Sequence, residues 1–194
     1  TSGVYIFGAQ LEQNSYATSY IKTVGTTQTR SADTANGAGN ASTFNSSEGV
    51  LMVEISALAN DGTVRRINIT DGGFNNAIRL GYSSTSNQII GVVAASGVQA
   101  ALTYTLNDIT SFNKLIIKYK ENDFALWANG FEVSTDTSGV TPIGLDDLSF
   151  DFVDTGHFYG NTKQIQYYDS ALNDSELEKL TSWTSFTAMA NAQS

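Results

Sequence analysis

The stretch Leu115-Ile116-Ile117-Lys118-Tyr119-Lys120-Glu121-Asn122-Asp123-Phe124-Ala125-Leu126-Trp127-Ala128-Asn129-Gly130-Phe131-Glu132-Val133 decides the fold. Leu115, Ile117 and Tyr119 alternate with Ile116, Lys118 and Lys120, which is the period-two rhythm of a strand with two different faces. Glu121-Asn122-Asp123 turns the chain into Phe124–Ala128, and Asn129-Gly130 turns it again into Phe131-Glu132-Val133. Asn-Gly between strands suits a type I′ turn, which needs positive φ at both central residues. The segment therefore reads as two successive hairpins.

The same rhythm extends in both directions. Toward the N-terminus, Leu51, Val53 and Ile55 alternate with Met52 and Glu54. Arg65, Ile67 and Ile69 alternate with Arg66 and Asn68. Ile78, Leu80 and Tyr82 share one face, with Arg79 on the other. Asn60-Asp61-Gly62 and Asp71-Gly72-Gly73 are turn signals between these runs. Further strands are predicted at 87–94, 98–106, 113–120, 123–128, 130–135, 147–153 and 163–168. Turns recurring every ten or so residues are the signature of a two-sheet antiparallel sandwich. One helix is predicted, at 174–182, with Asn173 as its cap and Glu176 in a capping-box relation. The tail after Trp183 has no clear period.

Near the N-terminus, Tyr5, Phe7, Ala9 and Leu11 share a face of a strand over 4–11, and residues 25–47 are almost wholly Gly, Ser, Thr, Asn and Ala. The expected division is an N-terminal strand segment at 1–24, either the end of a preceding module or an integral strand of this domain, a linker or loop at 25–47, and the sandwich at 48–194. The chain opens Thr1-Ser2-Gly3 without Met and reads as a fragment or processed piece.

The formal charge is −9. Nucleic-acid partners are not expected, because phosphate affinity needs a basic surface. No stretch approaches the ~20 apolar residues of a membrane helix, no signal peptide is read at the start, and membrane insertion is not expected. The chain has no Cys, which removes thiol chemistry and, with a single His, an ordinary zinc site.

Two stretches resemble the laminin-G and concanavalin-like family. Leu126-Trp127-Ala128-Asn129-Gly130 is similar to that family's aliphatic–aromatic–aliphatic–Asn–Gly hairpin. Phe158-Tyr159-Gly160, continuing through Ile165-Gln166-Tyr167-Tyr168-Asp169-Ser170-Ala171-Leu172-Asn173-Asp174-Ser175-Glu176-Leu177, is similar to its closing strand and acidic-capped helix. The resemblance implies an all-β jelly-roll sandwich with one short C-terminal helix. This fold hosts lectins, hydrolases, lyases and spacers alike. A third stretch, Phe7-Gly8-Ala9-Gln10-Leu11-Glu12 with Ala17-Thr18-Ser19-Tyr20-Ile21 and Thr29-Arg30-Ser31-Ala32-Asp33, resembles a recurrent segment of bacteriophage tail and particle proteins. Lys22 stands where that segment commonly has Pro. Together the resemblances imply a non-catalytic glycan- or receptor-binding domain of a viral tail fibre or surface adhesin, on a virion or cell surface, commonly as a homotrimer. The alternatives are a polysaccharide-degrading enzyme of the same fold and a purely structural particle decoration.

The chemistry-bearing residues fit binding better than turnover. Hydrolases of this fold resemble one another in a strand of closely alternating acids set across a sugar bond. Glu48 to Glu54 and Asp146-Asp147 to Asp151 do not match it. Lyases of the fold would show a Gln-Ile-His strand, and Gln88-Ile89-Ile90 lacks the His. Sugar recognition asks for a flat aromatic face with polar groups beside it. Trp127 points away from the core set Phe124, Leu126 and Ala128. It is either a stacking platform on an open face or a side chain buried beneath a loop or helix. Arg79 also points away from its core face, with Asn76 and Tyr82 near it in sequence, and His157 lies in a loop. These five are the candidate ligand contacts. Asp147 and Asp151 share a strand face, as cation or sugar contacts or as a solvated edge. With Asp71 they are the candidate ligands of a calcium ion, which takes a cage of oxygens.

Overall fold

The computed structural model describes residue 11 and residues 20–28, 37–151 and 157–183. The chain divides into two compact units, Thr1–Asp33 and Thr34–Ser194. The expected strand over 4–11 and the particle-like segment fall almost wholly outside the described residues, as do the end of the predicted 147–153 strand and the tail beyond Trp183.

The larger unit is a sandwich of two antiparallel five-stranded sheets. One has the order β10-β1-β6-β7-β8, built from Gly160–Tyr168, Glu48–Ala57, Asn113–Lys120, Phe124–Ala128 and Phe131–Asp136. The other has the order β5-β4-β3-β2-β9, built from Val98–Thr105, Gln88–Ala95, Asn76–Tyr82, Arg65–Thr70 and Asp147–Ser149. Among the described residues there is a single helix, α1, Asp174–Thr181. Each predicted strand from Leu51 onward has its counterpart here. The Asn129-Gly130 turn has φ of 50° and 94°, the two positive values that a type I′ turn requires.

Alternation places one side chain in two between the sheets. Leu51, Val53, Ile55, Leu115, Ile117, Tyr119, Phe124, Leu126 and Ala128 face Ile67, Ile69, Ile78, Leu80, Tyr82, Ile89, Val93, Ala100 and Leu102 in one continuous core. Gly91 occupies a core-facing position in β4. A Cβ there would stand 2.8 Å from Ile117 Cδ1 and 3.3 Å from Leu126 Cδ1, so the missing side chain is what lets the opposite sheet pack this close. Within the polar stretch 25–47, Phe44 joins the core and meets the Tyr167 ring edge-on at 5.0 Å. The Asn45 carbonyl accepts the Tyr119 hydroxyl at 2.5 Å. Phe44 and Asn45 of this stretch thus form part of the sandwich.

The outward side chains of the two sheets meet different fates. On the first sheet, Val50, Met52, Ile116, Ala125 and Trp127 form a second apolar cluster that Leu177 of α1 closes. The helix starts where Asn173 Oδ1 accepts the Glu176 N–H at 3.1 Å and Glu176 Oε2 accepts the Asn173 N–H at 2.9 Å, a complete capping box. Burial of Leu177 contributes about 1.5–3 kcal/mol to holding the helix down. Among the described residues, no helix is long and apolar enough to cross a membrane.

Candidate functional site

The outward face of the second sheet carries the polar groups. In β2, Ile67 and Ile69 turn inward, so Arg66, Asn68 and Thr70 turn outward. In β3, Ala77, Arg79 and Gly81 do the same. The register fixes their neighbours. Arg66 stands opposite Gly81 and Asn68 opposite Arg79. On the other flank Asn68 stands opposite Ser149 and Thr70 opposite Asp147. Arg66 and Arg79 are diagonal neighbours on one face, a separation of about 7–8 Å in an antiparallel pair.

The centre of this face is sunk and its margin is accessible. Asn68 is 0% exposed and Arg79 7%, while Arg66, Ile90 and Asp147 are half-buried and Ala101 and Thr103 are exposed. The turn between β2 and β3 folds over Arg79, whose Nη2 donates to the Phe74 carbonyl at 2.5 Å. Phe74 leaves its ring 49% exposed beside this contact. Asn68 Nδ2 donates to the Asp151 carbonyl at 2.9 Å, which also accepts from Ser149 Oγ at 2.9 Å. The Asp151 carboxylate pairs with His157 Nδ1, and the His157 ring lies 5.8 Å from that of Tyr159, whose own ring is exposed.

Electrostatically the face is costly. Burial, and then the positive charge of Arg66, bring the Arg79 guanidinium down to about 10; burial also lowers Arg66. No carboxylate among the described residues pairs with Arg66. Arg66 Nε, Asn68 Oδ1 and Asp147 Oδ1 are buried without a hydrogen-bond partner. Unsatisfied groups of this kind cost about 1–3 kcal/mol each, and a hydrogen-bonding ligand is one means of satisfying them.

The predicted site residues separate into two sets. Arg79, Asp147, Asp151 and His157 come together on or beside this one face. Asp71 and Asn76 join at its rim, where Asn76 Nδ2 donates to Asp71 Oδ2 at 2.9 Å. Tyr82 and Trp127 do not join them. Tyr82 is a core residue, as its strand position shared with Ile78 and Leu80 requires, and its hydroxyl donates to the Ile55 carbonyl at 3.0 Å. Trp127 points away from the core as predicted, but its face is covered by α1 and it is 6% exposed. It therefore presents no stacking surface. Asp71, Asp147 and Asp151 do not converge: among the described residues, no three His, Cys, Asp or Glu side chains form a metal-holding group.

Sequence reasoning missed Arg66, Asn68, Phe74 and Tyr159. A signal existed for two of them. Arg66 and Asn68 occupy the outward positions of a strand whose inward positions, Ile67 and Ile69, were read correctly. Phe74 is a large apolar residue inside a turn of Asp, Gly and Asn.

No protein-family model matches the chain, and no curated protein matches it in sequence. Solved structures match the fold. The CBM40 domain of the Ruminococcus gnavus IT-sialidase, in a structure with α2,3-sialyllactose bound, superposes with a TM-score of 0.60 at 15% identity, over 77% of this chain and 94% of that one. The NanB sialidase of Streptococcus pneumoniae gives 0.59 at 14% identity, over 72% of this chain and 25% of that one, so this chain is similar to about a quarter of that enzyme. Domain 4 of AbnA, an extracellular GH43 arabinanase of Geobacillus stearothermophilus, in complex with arabinotriose, gives 0.55 at 13% identity, over 75% of this chain and 69% of that one. The likeness is that of a concanavalin-like β-sandwich.

Proposed function

We propose that this chain is a non-catalytic glycan-binding module whose binding surface is the outward face of the β5-β4-β3-β2-β9 sheet, and that its ligand is an acidic glycan. The observation that carries the reading is the pair Arg66 and Arg79 held together on one sheet face of a chain with a net charge of −9. Two neighbouring guanidiniums suit a carboxylate, which accepts from a planar fork of N–H donors. Phe74 offers the aromatic face that Trp127 does not, and the pair His157 and Tyr159 marks the opposite margin. The structural neighbours bound to sialyllactose and arabinotriose support glycan binding, and of the two ligands only sialyllactose carries the carboxylate of this reading. The setting we propose is the outside of a cell or particle, as the tip of a fibre or a surface adhesin. The homotrimer rests on the phage resemblance alone.

The test is a pair of titrations, sialyllactose against lactose, which lacks the carboxylate. Sialyllactose binds and lactose binds at least about tenfold more weakly, a gap of about 1.4 kcal/mol. Arg66→Gln removes that preference and Phe74→Ala weakens both, with melting temperatures close to that of the parent protein. Equal binding of the two sugars, unaltered by Arg66→Gln, would refute the acidic-glycan reading. Incubation with polysaccharides releases no reducing ends. Turnover abolished by Asp147→Asn or Asp151→Asn makes the chain an enzyme instead.

A further inference from the structure

Asp71, Asp147 and Asp151 bring carboxylates to the proposed binding face and its rim, and the first and last are satisfied within the chain. Asp71 Oδ1 accepts the Gly73 N–H at 3.0 Å and its Oδ2 accepts from Asn76 Nδ2 at 2.9 Å. The Asp151 carboxylate pairs with His157. Asp147 has no such partner. No Lys, Arg or His among the described residues pairs with it. Its Oδ1 is buried without a hydrogen bond, while the residue as a whole is only half-buried.

The fold fixes where this carboxylate stands. Leu148 packs against the main core, so Asp147 and Ser149 on either side of it turn outward. Thr70 lies directly opposite Asp147, at the end of β2 that runs into the turn carrying Phe74. The Arg79 guanidinium bends toward that same end, where its Nη2 donates to the Phe74 carbonyl. Asp147, the head of Arg79 and the exposed ring of Phe74 thus bound one end of the face, and Arg66, opposite Gly81, lies toward the other.

We infer that Asp147 is a specificity-determining residue of this face: it accepts a hydroxyl or amide hydrogen of the bound sugar and turns away glycans that bring a second anion there. The inference rests on the acidic-glycan reading and narrows it. Two arginines alone do not discriminate, because guanidinium groups take carboxylate, sulfate and phosphate oxygens alike. An ionised carboxylate can only accept, and a bond from an O–H or N–H donor to it is charge-assisted. A sulfate ester or a second carboxylate offers acceptor oxygens and negative charge, and no donor. Beside a partly buried Asp147 that charge is repelled with little screening. Specificity of this kind comes from the repulsive contact as much as from the attractive one. The ligand class that fits is a sugar with one carboxylate for the arginines and a hydroxyl or amide donor beside it. Densely sulfated and polyanionic chains do not fit.

Titrations of the full chain with three probes test this: sialyllactose, lactose, and a sulfated lactose whose sulfate ester takes the place of the sialic acid. The parent protein binds sialyllactose at least about tenfold more tightly than sulfated lactose. Asp147→Asn, equal in size and without the charge, binds sulfated lactose more tightly than the parent does and closes most of that gap. A merely structural role would weaken both probes alike and leave their ratio unchanged. Should Asp147→Asn fail to fold, Asp147→Ser replaces it. A parent that binds sulfated lactose as tightly as sialyllactose, and both more tightly than lactose, overturns the inference and leaves the acidic-glycan reading standing. So does a ratio of the two anionic probes indifferent to the substitution. Equal binding of sialyllactose and lactose overturns both.

Discussion

Trp127 shows how much one residue's meaning depends on what lies above it. Its strand neighbours Leu126 and Ala128 are in the main core, so alternation sends the indole to the other side of the sheet. There it meets Leu177 instead of solvent. Its Nε1 is buried without a hydrogen-bond partner, so its contribution is apolar packing. Trp127→Ala should therefore destabilise the fold by about 3–5 kcal/mol, the cost of emptying a large buried site. The fraction that remains folded should bind glycan as the parent does. A thermal melt and a titration on the same variant check both halves. A lost affinity with an unchanged melt would return Trp127 to the binding surface. Phe74 is the opposite case, an aromatic residue in a turn whose backbone carbonyl holds Arg79 while its ring stays exposed.

Among the elements, β2 depends on the turn that precedes it. Arg65 is buried at its first position, where Nη1 donates to the Thr63 carbonyl at 3.0 Å and Nη2 to the Asp61 carboxylate at 2.9 Å. Asp61 in turn accepts the Thr63 N–H at 3.0 Å. That backbone bond, then the Thr63 hydroxyl and Arg65, bring the Asp61 carboxyl down to about 2. A carboxyl whose folded value lies below its unfolded value of about 3.9 stabilises the fold at every pH above the unfolded value. That stability is lost as pH falls through the folded value. Asp61→Asn should therefore lower the melting temperature at neutral pH, and the gap from the parent should narrow below about pH 4 and close near pH 2. Melts of the two proteins across that range measure it. A gap that is constant with pH would mean that the carboxylate's charge contributes nothing to holding the turn.

At the scale of the molecule, the contrast between net and local charge would govern the proposed binding. The chain as a whole is acidic, while the proposed site is built around two arginines. An acidic glycan is repelled at a distance and attracted only at the site. Added salt screens the long-range repulsion over a Debye length of about 8–10 Å and weakens the accessible Arg66 contact more than the sunken Arg79 contact. Between low and high salt, the sialyllactose association rate should rise. The salt dependence of dissociation should nearly vanish in Arg66→Gln. Stopped-flow or surface-binding kinetics at several ionic strengths separate the two rates. An association rate that falls with salt would show that local attraction outweighs the net charge.

The strands and their faces were legible in the sequence because period-two alternation and turn chemistry are local. Leu115 to Val133 alone specifies two hairpins, and Asn129-Gly130 specifies the turn between two of the strands. The same rule assigned Trp127 and Arg79 correctly to outward faces. Only the tertiary structure decided which outward face receives a helix and which keeps its polar groups. The register of β2 between β3 and β9 sets Asn68 between Arg79 and Ser149, residues far apart in the chain. That choice rests on the apolar stripe of α1. Leu177 finds Val50, Met52, Ile116 and Trp127 on one sheet, whereas the other offers Arg66, Asn68 and Arg79, whose desolvation no leucine can offset.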